Sequence, residues 1–306
     1  MGRLDGKSIV VTGSGGGIGA AYARLAADEG AAVVVCDIDE AGARRVAKQI
    51  EDGGGRALLR VADVSDWQQA EELVAFCVAE TGRIDGLVNN AGIMHMAWAG
   101  DEDPGKLSRL LEVNVFGVAA CGNHAIRQMR AQGSGVVLNV VSGAHFGMRY
   151  MAAYGASKGA VASLTYAWTL ENADIPGIRV NAISPMGKSN INAGNEEFLR
   201  ASGVRPVAGA APQPEPEVNA PVAVFLLSDA AADVKGQIVR IDGPSLSLVA
   251  HPVVLDPVLH DAGGWTIDGV EDAFRTTFMD RQVPTGMAAL LKAEYVATAS
   301  ATGKPY

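Results

Sequence analysis

Short apolar runs alternate with longer stretches of helical spacing along most of this chain. The runs are Ser8–Thr12 (SIVVT), Ala32–Cys36 (AVVVC), Ala57–Val61, Gly86–Val88, Val136–Val141, Ile178–Ile183 and Gln237–Ile241. They are continuous rather than alternating, which predicts strands covered on both faces. Between them, Ile18–Glu29, Glu40–Ile50, Trp67–Thr81, Lys106–Gln132, Ala152–Asn172 and Val218–Ser228 predict helices. Gly30 is placed to stop the first of these, and Ser65 or Asp66 to cap the third. Strand and helix alternate throughout, so the pattern predicts an α/β fold, a doubly wound parallel sheet of about seven strands built from βαβ units.

Two segments break the alternation. Five prolines crowd Arg205–Pro221, which excludes helix interior and central strand there. Residues 244–306 follow the last predicted strand and carry helical patterns at Val270–Arg281 and Gly286–Ala297. The chain is therefore read as one domain over residues 1–243 with a C-terminal extension over 244–306.

Composition narrows the partners. Of 306 residues, 48% are hydrophobic and 19% charged, enough for a sizeable core. The net charge of −9 without a basic run speaks against nucleic acid or an anionic membrane surface. No apolar run approaches the length needed to cross a bilayer. Cys36, Cys77 and Cys121 are odd in number and widely spaced, which suits buried free thiols in a reducing, cytoplasmic setting and predicts no metal site.

The chemistry begins at Thr12–Gly19, TGSGGGIG, between the first strand and the first helix. Glycines there let backbone approach a pyrophosphate at a helix N-terminus. Asp37 ends the second strand eighteen residues beyond Gly19, where a carboxylate accepts hydrogen bonds from an adenosine ribose and repels a 2′-phosphate. Tyr154 and Lys158 lie four residues apart on one helix face, and a nearby ammonium favours phenolate over phenol. Ser142 ends the fifth strand, at the carboxyl edge where parallel sheets hold ligands.

Together with Asp63-Val64, Asn89–Gly92 (NNAG), Asn114 in VNV, YGASK at 154–158 and the strand running into Pro185, these motifs resemble the short-chain dehydrogenase/reductase family. The resemblance spans residues 4 to 243. It implies a Rossmann-type domain that transfers hydride between a nicotinamide and a carbonyl or alcohol carbon. Tyr154 would be the general acid/base and Ser142 would orient the substrate oxygen. Lys158 would hold the nicotinamide ribose and lower the tyrosine pKa, and Asn114 would hold a relay water. Gly13, Gly17, Ile18 and Gly19 would shape the pyrophosphate turn, and Asp37 would select NAD. Asp63 and Val64 would flank the adenine, and Asn90 would seat the cofactor from the fourth strand. Pro185 and Ser189 would lie near the carboxamide. The long helices at Lys106–Gln132 and Ala152–Asn172 look like those that pair across subunits in this family, implying a homodimer or homotetramer.

Two departures stand out. Ser142 and Tyr154 are twelve positions apart, one fewer than is common in the family. Met186 stands between Pro185 and Gly187, where members usually have Pro-Gly. Around these points Met94, His95, Met96, Trp98, His145, Phe146, Met148 and Tyr150 sketch a mostly apolar pocket, suited to a hydrophobic alcohol or ketone. His95 and His145 have no carboxylate beside them in sequence and read as structural histidines. The extension resembles tails of members acting on lipid-like substrates. It covers the substrate mouth or packs on a surface, and both readings stand. Two further functions stay open: a 3-hydroxyacyl thioester dehydrogenase, which needs a basic patch from Arg149, Lys188, Arg200 and Arg205, and a non-catalytic NAD(H)-sensing regulator.

Overall fold

A computed structural model describes residues 2–188, 195–203, 213–252 and 254–282. Its strands are β1 (Ser8–Thr12), β2 (Ala32–Asp37), β3 (Arg56–Val61), β4 (Gly86–Asn89), β5 (Gly135–Val140), β6 (Ile178–Pro185), β7 (Ile238–Asp242) and β8 (Ser245–Val249). The helices between them are α1 (Gly17–Asp28), α2 (Glu40–Asp52), α3 (Trp67–Thr81), α4 (Pro104–Leu111), α5 (Val118–Gln132), α6 (Ala152–Glu171), α7 (Glu196–Ala201) and α8 (Ala220–Leu227). One sheet holds all eight strands in the order β3-β2-β1-β4-β5-β6-β7-β8. The first seven pair in parallel, as expected, and this is the doubly wound Rossmann-type arrangement.

The continuous apolar runs are explained by two cores, one on each sheet face. Val11, Val33, Val35 and Leu138 point to the side of α1, α2 and α8. Val10, Val34, Val137 and Val180 point to the side of α3, α5 and α6. Each such fully buried side chain contributes about 1.5–3 kcal/mol. The three cysteines are free and buried, and burial pushes the Cys77 thiol up to about 11.

The eighth strand is an addition to the expected seven. Ser245–Val249 (SLSLV) alternates polar with apolar, pairs antiparallel with β7, and leaves four of its five residues exposed. Continuous apolar runs mark strands buried on both faces, and this edge strand, exposed on both faces over Ser245–Leu248, has no such run.

The helix predicted over Lys106–Gln132 is three pieces. α4 runs into a π turn at Glu112–Gly117, which passes into α5. The turn turns Asn114 inward, fully buried. Asp66, of the two candidate caps, is the one that caps α3, accepting from the Gln68 and Gln69 amides.

The chain divides into two compact units, Met1–Val249 and Ala250–Tyr306. In the second, α9 (Ile267–Ala273) continues through helical turns to Arg281, where sequence spacing predicts a helix. The pattern at Gly286–Ala297 lies outside the described residues.

Candidate active site

The order β3-β2-β1-β4-β5 reverses direction between β1 and β4, and the crevice beyond their carboxyl ends is where such sheets hold ligands. A cavity of about 570 Å³ lies there. It runs from Asp37 and Arg45 past the glycine turn to Ser142, Tyr154 and Lys158.

The turn is built by tight approach. Gly13 has φ +63, and a Cβ on it would stand 2.7 Å from the Ala91 Cα. Asn90 holds the turn from β4's end, donating from Nδ2 to the Thr12 and Gly13 carbonyls at 3.0 and 2.9 Å. The Thr12 hydroxyl in return accepts from the Asn90 and Ala91 amides, each at 3.1 Å. Ser14 stitches the turn to β2, its hydroxyl accepting from the Cys36 amide at 3.0 Å. Gly16, the N-cap of α1, offers no side chain to the first helical amides. Uncapped amides at the mouth of a cavity are an anion site. These features fit a dinucleotide pyrophosphate.

Asp37 is oriented before any ligand arrives. Its Oδ2 accepts from the Gly15 amide at 2.8 Å, and its Oδ1 from the Asp39 amide at 3.0 Å. Arg45, which no local motif marks, reaches over from α2 and donates to the Gly15 carbonyl at 2.9 Å. The peptide of Gly15 is thus held on both sides. Asp63 and Val64 line the same cavity. The Asp63 carboxylate takes hydrogen bonds from Ser65 and, at 2.8 Å, from Arg109 on α4. Burial pushes Asp63 up, but those bonds outweigh it and hold the carboxyl below its ordinary range. Arg109 had no sequence signal, because the contact spans 46 residues.

At the other end, α6 presents Tyr154 and Lys158 on one face. The Lys158 ammonium lies 5.7 Å from the Tyr154 ring centre and donates to the Val140 carbonyl at 2.8 Å. Asn114 exchanges hydrogen bonds with the Ile93 backbone at 2.8 and 2.9 Å and donates to Ser157 at 3.1 Å. Gly92 lies between the Asn114 amide oxygen and the Lys158 ammonium, each within 4 Å of where a Cβ would sit. Ser142 caps the short turn Gly143–Phe146 and hydrogen-bonds Tyr154.

The tyrosine differs from the sequence expectation. Burial pushes half-buried Tyr154 up to about 12, and only the Ser142 hydrogen bond opposes it. Burial also pushes Lys158 down, to about 8. Desolvation of both groups outweighs the pull of the ammonium on the phenol.

Ile18 and Pro185 line the cavity, as does Met186, which occupies the place of the family's usual glycine. Asn219 fixes that corner, donating to the Met186 carbonyl at 3.1 Å. Ser189 lies outside the described residues. His145 reads as expected, its Nδ1 on the Ser142 carbonyl and its ring 4.1 Å from Phe146. His95 does have a carboxylate partner, Glu102 at 2.5 Å, brought to it by a loop rather than by adjacency.

A family model described as short chain dehydrogenase matches residues 7–196. The chain belongs to the short-chain dehydrogenase family. It is 43% identical over 239 residues to a cis-4-hydroxycyclohexanecarboxylate dehydrogenase of Sinomonas cyclohexanicum, covering 76% of this chain and 94% of that one. Among solved structures it resembles a short chain dehydrogenase from Mycobacterium avium, with TM-score 0.80 and 28% identity over 93% of this chain and 99% of that one. It also resembles a gluconate 5-dehydrogenase from Burkholderia cenocepacia in complex with NADP and tartrate, with TM-score 0.69 and 34% identity over 79% and 95%. The dehydrogenase is thus an oxidoreductase acting on a CH–OH group with a nicotinamide cofactor. Among its described residues no helix is long and apolar enough to cross a membrane.

Proposed function

We propose that this dehydrogenase uses NAD to interconvert a secondary alcohol and a ketone on a hydrophobic substrate. The observation that carries the reading is one cavity lined at its ends by Asp37 and by Ser142, Tyr154 and Lys158. Asp37, Gly13, Gly17, Ile18, Gly19, Val64, Asn90 and Pro185 would hold the cofactor, which supplies a ring able to accept or return a hydride. In the reducing direction Ser142 donates to the carbonyl oxygen and the Tyr154 phenol gives its proton to that oxygen as the carbon receives hydride; in the oxidising direction the tyrosinate takes the hydroxyl proton back as hydride leaves. Lys158 and Asn114 bracket the backbone at Gly92, the position of a proton path away from Tyr154. Met94, Met148, Met151 and Met186 give this end a flexible apolar wall. The compound named for the Sinomonas relative, a hydroxycyclohexanecarboxylate, carries a secondary alcohol on an apolar ring beside its carboxylate.

Neither alternative gains from the site. The Lys188 ammonium, part of the basic patch a thioester carrier needs, is engaged by Glu215. A sensor has no use for the Tyr154–Lys158–Ser142 set. A second copy of the chain is proposed to cover the face of α3–α6 where Trp67, Leu111, Phe116 and Leu170 are exposed. Three buried thiols favour the cytoplasm.

The test is NADH formation from secondary alcohols by the wild-type protein, with Tyr154→Phe alongside. Turnover is expected to fall about 10²–10⁴-fold in the variant while NADH still binds. Equal turnover in both proteins would remove Tyr154 from the chemistry. Cofactor choice has its own test. Asp37→Ala frees the Gly15 amide and removes the charge that repels a 2′-phosphate, so the kcat/KM ratio of NAD to NADP is expected to drop at least about tenfold. An unchanged ratio would reassign the preference to other residues.

A further inference from the structure

Tyr150 is the one non-glycine among the described residues with a left-handed backbone, at φ +67. A tyrosine gains nothing locally from that conformation, so its surroundings hold it there. Two rings do so. Trp98 meets the Tyr150 ring edge-on at 4.7 Å and 82°, and Phe198 meets it at 5.5 Å and 61°. The Tyr150 carbonyl also accepts from the Ala97 amide at 3.0 Å.

The three rings come from three places: the loop after β4, the loop after β5, and α7. The first loop is itself fixed along its length. Asn114 holds Ile93, the Asn195 side chain accepts from the Met96 amide at 3.0 Å, and Glu102 holds His95. Tyr150 is therefore clamped between a loop and a helix that are also tied to each other.

What the clamp positions is the wall of the reaction site. Met148 and Met151 flank Tyr150, and both line the cavity with Ser142 and Tyr154. The Met151 amide donates to the Met148 carbonyl at 3.2 Å, and the Gly155 amide to the Met151 carbonyl at 2.7 Å. The turn thus leads rigidly into α6, one turn before Tyr154. The shortened Ser142–Tyr154 interval is closed by this left-handed residue.

We propose that Tyr150 is a positioning residue that sets Met148 and Met151 against the substrate, and that the wall so formed selects a secondary alcohol carried on a saturated ring. The proposal rests on the alcohol–ketone reading of the site. Thioethers are soft enough to follow the convex face of an apolar ring but make contact only with a substrate wide enough to reach them. A short open-chain alcohol is held at Ser142 and Tyr154 without meeting that wall.

The experiment compares cyclohexanol with butan-2-ol, both with NAD, in the wild-type protein and in Tyr150→Phe, Tyr150→Gly and Trp98→Ala. Glycine adopts φ +67 freely, so Tyr150→Gly removes the ring without adding backbone strain. In Tyr150→Gly the KM for cyclohexanol is expected to rise about tenfold, the loss of two ring contacts. The KM values for butan-2-ol and NAD should stay within about twofold, and Tyr150→Phe should behave as wild type. Trp98→Ala should act in the same direction, and the Trp98→Ala/Tyr150→Gly double variant should be no worse than the single ones. Methyl-labelled methionine NMR gives a readout free of turnover: the Met148 and Met151 signals should move in Tyr150→Gly and not in Tyr150→Phe, while buried Met129 stays put in both. An equal KM rise for both alcohols, no rise at all, or unmoved Met148 and Met151 signals would overturn the proposal. A wild-type protein that binds NADH but oxidises neither alcohol would instead count against the alcohol–ketone reading, and the methionine spectra would then decide the clamp alone.

Discussion

Lys158→Met is expected to silence the enzyme and to make the fold more stable at neutral pH. Lys158 is 2% exposed, and burial holds its pKa near 8 against 10.5 for a free lysine. Below pH 8 both folded and unfolded chains carry the charge, and the folded chain bears the whole cost of burying it. That cost is about 3 kcal/mol for a shift of this size. Between pH 8 and 10.5 the unfolded chain binds a proton that the folded chain has released, so wild-type stability rises with pH. Methionine has no charge to bury, but it leaves the Val140 carbonyl without its ammonium donor, a loss of about 1 kcal/mol. The variant should therefore be more stable by about 2 kcal/mol at pH 7, and that margin should shrink and reverse by pH 10.5. Denaturant unfolding at both pH values measures it. Alcohol oxidation should fall about 10²–10⁴-fold over the same range of conditions. A variant less stable than wild type at pH 7 would show that the ammonium is compensated in the folded chain.

A group kept at a cost to the fold marks a site, and sequence gave the residue but not the cost. The spacing of Tyr154 and Lys158 is legible because a helix places i and i+4 together. Whether the pair raises or lowers a pKa depends on how much water the fold removes, and no spacing encodes that. The same division holds elsewhere. The glycine turn and Asp37 are local features next to predicted strands, and the structure brings them to one cavity. Arg45, Arg109 and the His95–Glu102 pair are contacts across loops or between elements, without a local signature. The π turn at Glu112–Gly117 is invisible for another reason. It adds one residue to a helix whose apolar positions still repeat at nearly the same period, yet that residue is what aims Asn114. Strand β8 has no apolar run to mark it, because only Val249 of its five residues is buried.

Gly19→Ala is expected to abolish NADH binding and destabilise the protein together. A Cβ on Gly19 would stand 2.3 Å from the Gly13 carbonyl oxygen and 2.4 Å from the Asn90 amide nitrogen. Those two atoms are hydrogen-bonded to each other at 2.9 Å, so neither can step aside without breaking the bond that holds the turn. The backbone of Gly13 is itself confined, by φ +63 and by the close approach of Ala91. The remaining escape is to lift α1 away from the strand ends. That helix is buried along Ala20, Tyr22, Ala23 and Ala26, so lifting it opens the core. Overpacking of this kind costs about 1–3 kcal/mol, and the displaced amides at the start of α1 no longer meet a pyrophosphate. Gly82→Ala is the comparison. Gly82 ends α3 at φ +84 with nothing within 4 Å of a Cβ, so its substitution costs only backbone strain, about 1 kcal/mol, and should leave NADH affinity intact. Fluorescence titration with NADH and denaturant midpoints separate the two. If Gly19→Ala bound NADH as well as Gly82→Ala does, the turn would have room that its hydrogen bonds deny, and the pyrophosphate would have to be held elsewhere.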